Sequence, residues 1–417
     1  MKGKHLALLL VLVALIGGAG YFLQKDNSAA WDASGSSAGA KVLDFPINDV
    51  ARVTIKATGG ELNLVKKGEE WTVQERADYP AAFEQVGDLI RKLWELKTVQ
   101  EVKAGPSQFP RLELVEPGKD GAAGTVVEFK DKDGKRLAAV LLGKKFIRKG
   151  EGMMGADEGF AAGRYVVPLG GSKVSLVSET LDSVVVKPES WLKRDFFKVE
   201  NAKSIKVDGQ AETQRWTLTR ENATAEWKLA DAKPEETLDA AKVSSFATLF
   251  ANAAFADVLA PDAKPEDTGL DKPATVTIET FDKFVYTLKI GKPNGENQPV
   301  LLALSADFAK EREPVKDEKP EDKAKLDQEF QATLKRLTDK LAVEKKFEAR
   351  PYLIAKGTLD QLLKDRAALL AEKKPEPPPA PAGADVPKPA ATATTPPVTV
   401  TTPPVSAPPP PPKAKRP

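Results

Sequence analysis

The chain has 417 residues and a nearly balanced charge, 62 Lys and Arg against 60 Asp and Glu for a net charge of +2, which excludes a broadly basic nucleic-acid binder. It has no cysteine and a single histidine, His5, which excludes thiol catalysis, disulfides, iron–sulfur clusters, a Ser-His-Asp triad and the usual zinc hydrolase sites. Hydrophobic residues make up 41% of the chain, enough for substantial cores in the two or three domains that this length suits.

Met1 to His5 is short and basic, and Leu6 to Leu23 follows without a charge. As a helix this run spans roughly 27 Å, close to the thickness of a bilayer's hydrocarbon. Lys2 and Lys4 precede it, so the positive-inside rule places the N-terminus in the cytoplasm and everything beyond Lys25 outside. Residues 1–23 therefore read as a cytoplasmic start and a transmembrane anchor in the inner membrane, with the body periplasmic. A cleaved signal peptide is the alternative, with Ser28-Ala29-Ala30 as its cleavage site. Both readings export the body.

Residues 24–40 are small, polar and Gly/Ser-rich, a flexible tether in which Trp31 is either an interfacial anchor or a chance exposed aromatic. Residues 373–417 are rich in Pro, Ala and Thr and read as an extended, disordered tail. It is a spacer, a ligand for a proline-binding partner, or a solubilising segment.

Between them, one pattern occurs twice. Arg52–Lys56, Leu62–Leu64 and Glu70–Val73 alternate apolar and polar residues, as do Ser204–Val207, Arg215–Leu218 and Glu226–Leu229. Each set predicts three short strands. Trp71 and Trp227 fall at the same place in the third strand and read as core anchors. A helix is expected after each set. Over 80–97 its stripe is Phe83, Val86, Ile90, Leu93 and Trp94, with Asp78 as cap. Over 238–255 the stripe is Leu238, Ala241, Phe246, Leu249, Phe250 and Ala253, with Thr237 or Asp239 as cap.

The match continues through Gln100–Ala104 and Ala256–Ala260, then Leu114–Pro117 and Leu270–Pro273. Thr125–Phe129 and Thr275–Glu279 are strands, turning at Asp133-Gly134 and at Phe281–Phe284. The next strands are expected to end at Leu142-Gly-Lys144 and Ile290-Gly-Lys292; neither Gly-Lys has the spacing of a phosphate loop. Val174–Val177 and Pro351–Ile354 each predict a strand leading to a short helix, over 179–185 and 357–363. This gives a first α+β repeat over 41–199 and a second over 200–372. The second carries an insertion at 310–348, with Leu326, Phe330, Leu334, Leu337 and Leu341 at helical spacing. The inserted helix either packs on the body or offers a protein–protein surface.

The order of strands, tryptophan, helix, Leu-x-x-Pro, hairpin and Gly-Lys resembles the family called domain of unknown function 4340, in two tandem copies. Glu70-Trp71, Leu114–Pro117 and Leu142–Lys144 carry the resemblance in the first copy; Glu226-Trp227, Gly269–Pro273 and Ile290–Lys292 carry it in the second. The first copy departs from the pattern, with Arg111-Leu-Glu-Leu where the second has Gly269-Leu-Asp. The resemblance implies a bacterial protein held by one N-terminal helix and linked to ABC-type export systems similar to gliding-motility complexes, and it implies no catalytic residues.

The expectation is an α+β fold: a transmembrane helix, two tandem modules of antiparallel sheet with packed helices, and a Pro-rich tail. The expected function is a non-catalytic, membrane-tethered interaction protein serving an ABC permease and ATPase complex. The alternative is a periplasmic module for glycan or peptidoglycan; a two-carboxylate hydrolase ranks third. The expected partners are the bilayer through residues 6–23, a membrane protein complex and a cell-wall polymer, with no nucleic acid. No catalytic, cofactor or metal residue stands out.

Overall fold

The structure, a computed structural model, describes residues 38–119, 124–148, 159–259, 263–314 and 318–372. The charge-free run 6–23, Trp31, the cleavage-site alternative and the tail lie outside the described residues. Among the described residues no helix is long and apolar enough to cross a membrane.

The first half contributes β1 (Arg52–Ala57), β2 (Gly60–Lys67), β3 (Glu70–Val73), β4 (Tyr79–Pro80), helix α1 (Phe83–Trp94), β5 (Gln100–Val102), β6 (Thr125–Lys130), β7 (Arg136–Arg148), β8 (Phe160–Pro168) and β9 (Val174–Val177). These strands form one sheet in the order β4-β3-β2-β1-β6-β7-β8-β9-β5. The second half contributes β10 (Ala202–Asp208), β11 (Arg215–Thr219), β12 (Lys228–Leu229), helix α2 (Ala240–Val243), β13 (Asp257–Val258), helix α3 (Pro265–Thr268), β14 (Ala274–Thr280), β15 (Phe284–Ile290), β16 (Asn297–Ala306), helix α4 (Pro320–Glu344), β17 (Tyr352–Ala355) and helix α5 (Lys356–Leu359). Its sheet runs β12-β11-β10-β14-β15-β16-β17-β13. Apart from β4 at the rim, the two sheets have the same strand order.

Period-two alternation builds both sheets in the same way. Val53 and Ile55 face Leu64 and Leu62 on one side and Phe129 and Val127 on the other. Ile205 and Val207 face Leu218 and Trp216, then Ile278 and Val276. All of these side chains are buried. Both sheets lie within one compact unit, and their buried residues form one continuous cluster from Leu43 to Leu369. A smaller cluster covers the other face of the first sheet, where Leu114, Val126, Leu141, Val167 and Val174 pack under Phe109 and Leu112.

Several expected boundaries are corrected. Helix α1 starts at Phe83 rather than Pro80, because the backbone before it is taken by neighbours: Ala81 N donates to Trp71 O (2.7 Å) and Ala82 N to Trp191 O (2.8 Å). Asp78 is no cap; with Ala77 it sits at positive φ in the turn before β4. Phe83 is 63% exposed, and Leu89 joins Val86, Ile90 and Leu93 on the buried face.

The helix expected over 238–255 is reduced to α2 and a 3-10 turn, Ser244–Ala247. Asp239 does cap it, accepting from Ala241 N at 3.0 Å and Lys242 N at 3.4 Å. Ser244 Oγ then donates to Ala241 O (3.0 Å) and Thr248 Oγ1 to Ser245 O (3.4 Å), so hydroxyls occupy carbonyls in the turns that would extend the helix. Phe246, Phe250 and Phe255 remain buried, so packing holds the segment on the sheet without a regular helix.

Strand β7 does not end at Leu142-Gly-Lys144 but continues to Arg148 through a register irregularity between Leu142 and Lys145. Residues 179–185 form turns rather than a helix, with Leu181 at φ 53. The inserted helix is present as α4, 25 residues long.

Candidate functional site: the junction beside the inserted helix

Residues 194–201 lead from the first sheet into the second and are held by aromatic packing. The Phe196 ring lies 5.1 Å from Phe255, 5.4 Å from Phe347 and 4.7 Å from Tyr352, centroid to centroid. Phe197 packs on Phe250 and Tyr286. Arg194 Nη1 donates to Phe255 O (2.8 Å) and Ala256 O (3.0 Å), stitching the junction to the chain entering β13.

The last turns of α4 close over this segment. Glu344 is 5% exposed. Its carboxylate accepts from Lys198 N at 3.0 Å and from the Tyr286 hydroxyl at 2.8 Å. That hydroxyl also lies 3.1 Å from Lys198 O. Lys340, one turn earlier, donates to Lys198 O (2.9 Å) and Glu200 (2.7 Å), stands 3.9 Å from Glu344 and lies over the Phe284 ring.

The carboxylates are pushed apart in acidity. Burial raises Glu344, outweighing its hydrogen bonds from Tyr286 and Lys198. The hydrogen bond from Lys340 lowers Glu200. Burial, with the Glu344 charge beside it, also raises the Tyr286 phenol.

Two clefts meet at Glu200. One, of ≈ 620 Å³, is lined by Arg194, Asp195, Lys198, Asn252, Lys340 and Val343, among others. Val343 is 55% exposed there although it sits on the helix that closes the core. The other, of ≈ 460 Å³, is lined by Asn201, Arg220, Thr248, Asp282 and Arg336. Divergent carboxylates are what a two-carboxylate hydrolase would use. Here the buried member has both oxygens engaged within the fold, one by the Lys198 amide and one by the Tyr286 hydroxyl. Among the described residues no group of three or more His, Cys, Asp or Glu is placed to hold a metal ion.

Trp71 and Trp227 are both buried. The two Gly-Lys motifs are packing devices: a Cβ on Gly143 would lie 2.3 Å from Leu112 O, and one on Gly291 2.2 Å from Thr268 O. Each glycine lets the carbonyl end of a short helix rest on the chain, within β7 at Gly143 and just after β15 at Gly291. Sequence reading missed Glu344, although a signal existed. The stripe Leu326, Phe330, Leu334, Leu337, Leu341 extends by helical spacing to position 344, where an acid stands at a core position.

This is an α+β protein of two like-ordered antiparallel sheets with a polar junction beside an inserted helix. Residues 71–273 match the family described as domain of unknown function (DUF4340), which supports the resemblance. The matched region runs from Trp71 in the first sheet to Pro273 just before β14, so it crosses from one half into the other. No curated protein and no solved structure matches the chain.

Proposed function

We propose that the protein is a non-catalytic, membrane-tethered, extracytoplasmic interaction protein that serves an ABC-type transport or gliding-motility-like complex. The observation that carries the interaction reading is α4. It has no counterpart among the described residues of the first half, and it enters the core mainly through Leu337, Leu341 and Glu344. Leu326, Phe330 and Leu334 are only half-buried, and most of the intervening side chains are exposed. A helix held at one end and presented along the rest is suited to lie against a partner. The tether rests on the charge-free run Leu6–Leu23, and the ABC association rests on the family resemblance alone.

We also read the two halves as two copies of one unit. Their shared strand order, the buried Trp71 and Trp227, and the matched carbonyl contacts at Gly143 and Gly291 support this. The glycan alternative expects exposed stacking aromatics. Trp71, Trp191, Trp216 and Trp227 are buried and Trp94 is half-buried under Lys41, which leaves Phe83 and Phe160 as the exposed large aromatics among the described residues.

Deleting 310–348 would take Leu337, Glu344 and Phe347 out of the core, so the surface is better tested by substitution. Lys325→Glu with Lys335→Glu reverses two side chains that are each 76% exposed. In-cell crosslinking and affinity purification of the full-length chain should recover a permease and its ATPase, and the double variant should recover much less. Recovery of the chain alone, or with cell-wall fragments, would overturn the reading.

A further inference from the structure

Arg220 is 8% exposed, yet it forms no ion pair among the described residues. Its Nε donates to Ala202 O (2.6 Å) and its Nη1 to Ala223 O (2.6 Å). The guanidinium lies 4.8 Å from the Trp227 ring centroid and 6.0 Å from that of Phe281. Carbonyl dipoles and ring faces soften the burial of the charge but do not neutralise it. An arginine carries five N–H donors, and those not used on the two carbonyls have no acceptor among the described residues. The indole beneath adds another: Trp227 Nε1 is buried without a partner.

The fold does not require this charge. In the first sheet Lys66 holds the corresponding place. Its amide donates to Ala51 O (2.9 Å) as that of Arg220 does to Lys203 O (3.0 Å), and it pairs opposite Trp71. Lys66 is exposed. Arg220 instead lines the ≈ 460 Å³ cleft, with Arg336 also in its wall. Glu200 and Asp282 line the same cleft, but Glu200 is engaged by Lys340 and Asp282 by Asn201 Nδ2 (3.1 Å). Desolvation lowers the Arg220 guanidinium.

We propose that Arg220 anchors a binding site for a singly charged carboxylate, with the cleft beside Arg336, Asn201 and Thr248 taking the group that bears it. The planar fork of a guanidinium matches a carboxylate edge to edge. Two acidic side chains in the wall disfavour a dianion. A peptide C-terminus and a small organic acid present the same chemistry and are separated by the test.

The full-length chain is titrated by calorimetry, at fixed ionic strength, with sodium acetate, with N-acetyl-alanyl-alanine, with the C-terminal amide of that peptide, and with inorganic phosphate. Saturable binding of a carboxylate probe, with the amide silent and phosphate weaker, is the expected result. Tighter binding of the peptide than of acetate assigns the site to a chain terminus; equal binding assigns it to a small acid. Arg220→Lys keeps the charge without the fork and should weaken binding by about tenfold or more. Ala251→Leu narrows the cleft without touching the arginine and should also weaken binding, which decides the matter if Arg220→Lys fails to fold. No saturable binding, equal binding of the amide, tighter binding of phosphate, or unchanged binding in Ala251→Leu would each overturn the proposal.

Discussion

Arg76 and Asp257 join the two sheets through a two-pronged ion pair. Arg76 Nε donates to Asp257 Oδ1 and Nη2 to Oδ2, each at 2.7 Å. Arg76 follows β3 of the first sheet, and Asp257 opens β13 at the rim of the second. Around them Arg350 Nη1 donates to Arg76 O (3.1 Å), and Tyr79 packs edge-on against Phe255 and Tyr352. Both members of the pair are about one-fifth exposed, so screening is partial and removal of one partner strands the other. Asp257→Ala should destabilise the protein by about 2–3 kcal/mol, less than a fully buried pair because Glu189 stands 3.7 Å away as a substitute. Urea unfolding of the variant should remain one transition, since the sheets share a core. Two separated transitions would show that they unfold independently.

The close approach at Gly291 and the open space at Gly87 give a paired stability test. A methyl group at Gly291 would sit 2.2 Å from a backbone carbonyl that also accepts the Lys292 amide, so neither side can give way freely. Gly291→Ala should cost about 2–4 kcal/mol. Gly87 lies within α1, and a Cβ there would meet nothing within 4 Å, so Gly87→Ala should stabilise by about 0.5–1 kcal/mol. Chemical denaturation of both variants checks the contrast; equal effects would refute the packing role of Gly291.

Much of the fold was legible because alternation is a local signal. Val53 and Ile55, or Ile205 and Val207, announce a one-sided strand without reference to anything distant. The likeness of Gln100–Ala104 to Ala256–Ala260 carries no strand signal of its own, yet the fold makes the short edge strands β5 and β13 there. What failed depended on partners remote in sequence. Pro80 reads as a helix start until the carbonyls of Trp71 and Trp191 take the amides of Ala81 and Ala82. The stripe Phe246, Phe250 suits a helix, but hydroxyls at Ser244 and Thr248 compete for its carbonyls. At the candidate site, Arg220 is one of many charged residues in the sequence. Only the fold shows that it is buried with no ion-pair partner among the described residues.

Acid stability should depend on Glu236. Arg366 donates to it through Nε (3.1 Å) and Nη2 (2.7 Å), with a further bond from Lys233 N (3.0 Å). These hold the carboxyl down to about 2, from an ordinary value of 4.5. A lowered folded-state value means that folding favours the ionised form. The stabilisation is complete above about pH 4.5 and is lost as pH falls towards 2. Glu236→Gln should therefore lower the melting temperature at neutral pH, with the two proteins converging near pH 2. A constant difference across that range would exclude the linkage.

Glu344 should behave in the opposite sense. Burial raises its carboxyl above the ordinary 4.5, so folding favours the protonated form. The geometry agrees. Tyr286 has one hydroxyl proton and two acceptors in reach, Glu344 at 2.8 Å and Lys198 O at 3.1 Å. A protonated Glu344 can donate to Tyr286, which then donates to Lys198 O, and every group is satisfied. Lys340 at 3.9 Å and the charge of Glu200 also face the carboxyl, the first favouring ionisation and the second opposing it. The stabilising contribution is thus present below pH 4.5 and is lost as pH rises through the raised value. Glu344→Gln keeps the shape and an uncharged donor and acceptor, so it should match the wild type at low pH and exceed it in stability at pH 8. Glu344→Ala leaves Tyr286 and the Lys198 amide without their partner and should destabilise at every pH, by about 2 kcal/mol. Melting temperatures of the three proteins between pH 4 and 8 check the argument, and a Glu344→Gln protein less stable than wild type at pH 8 would overturn it.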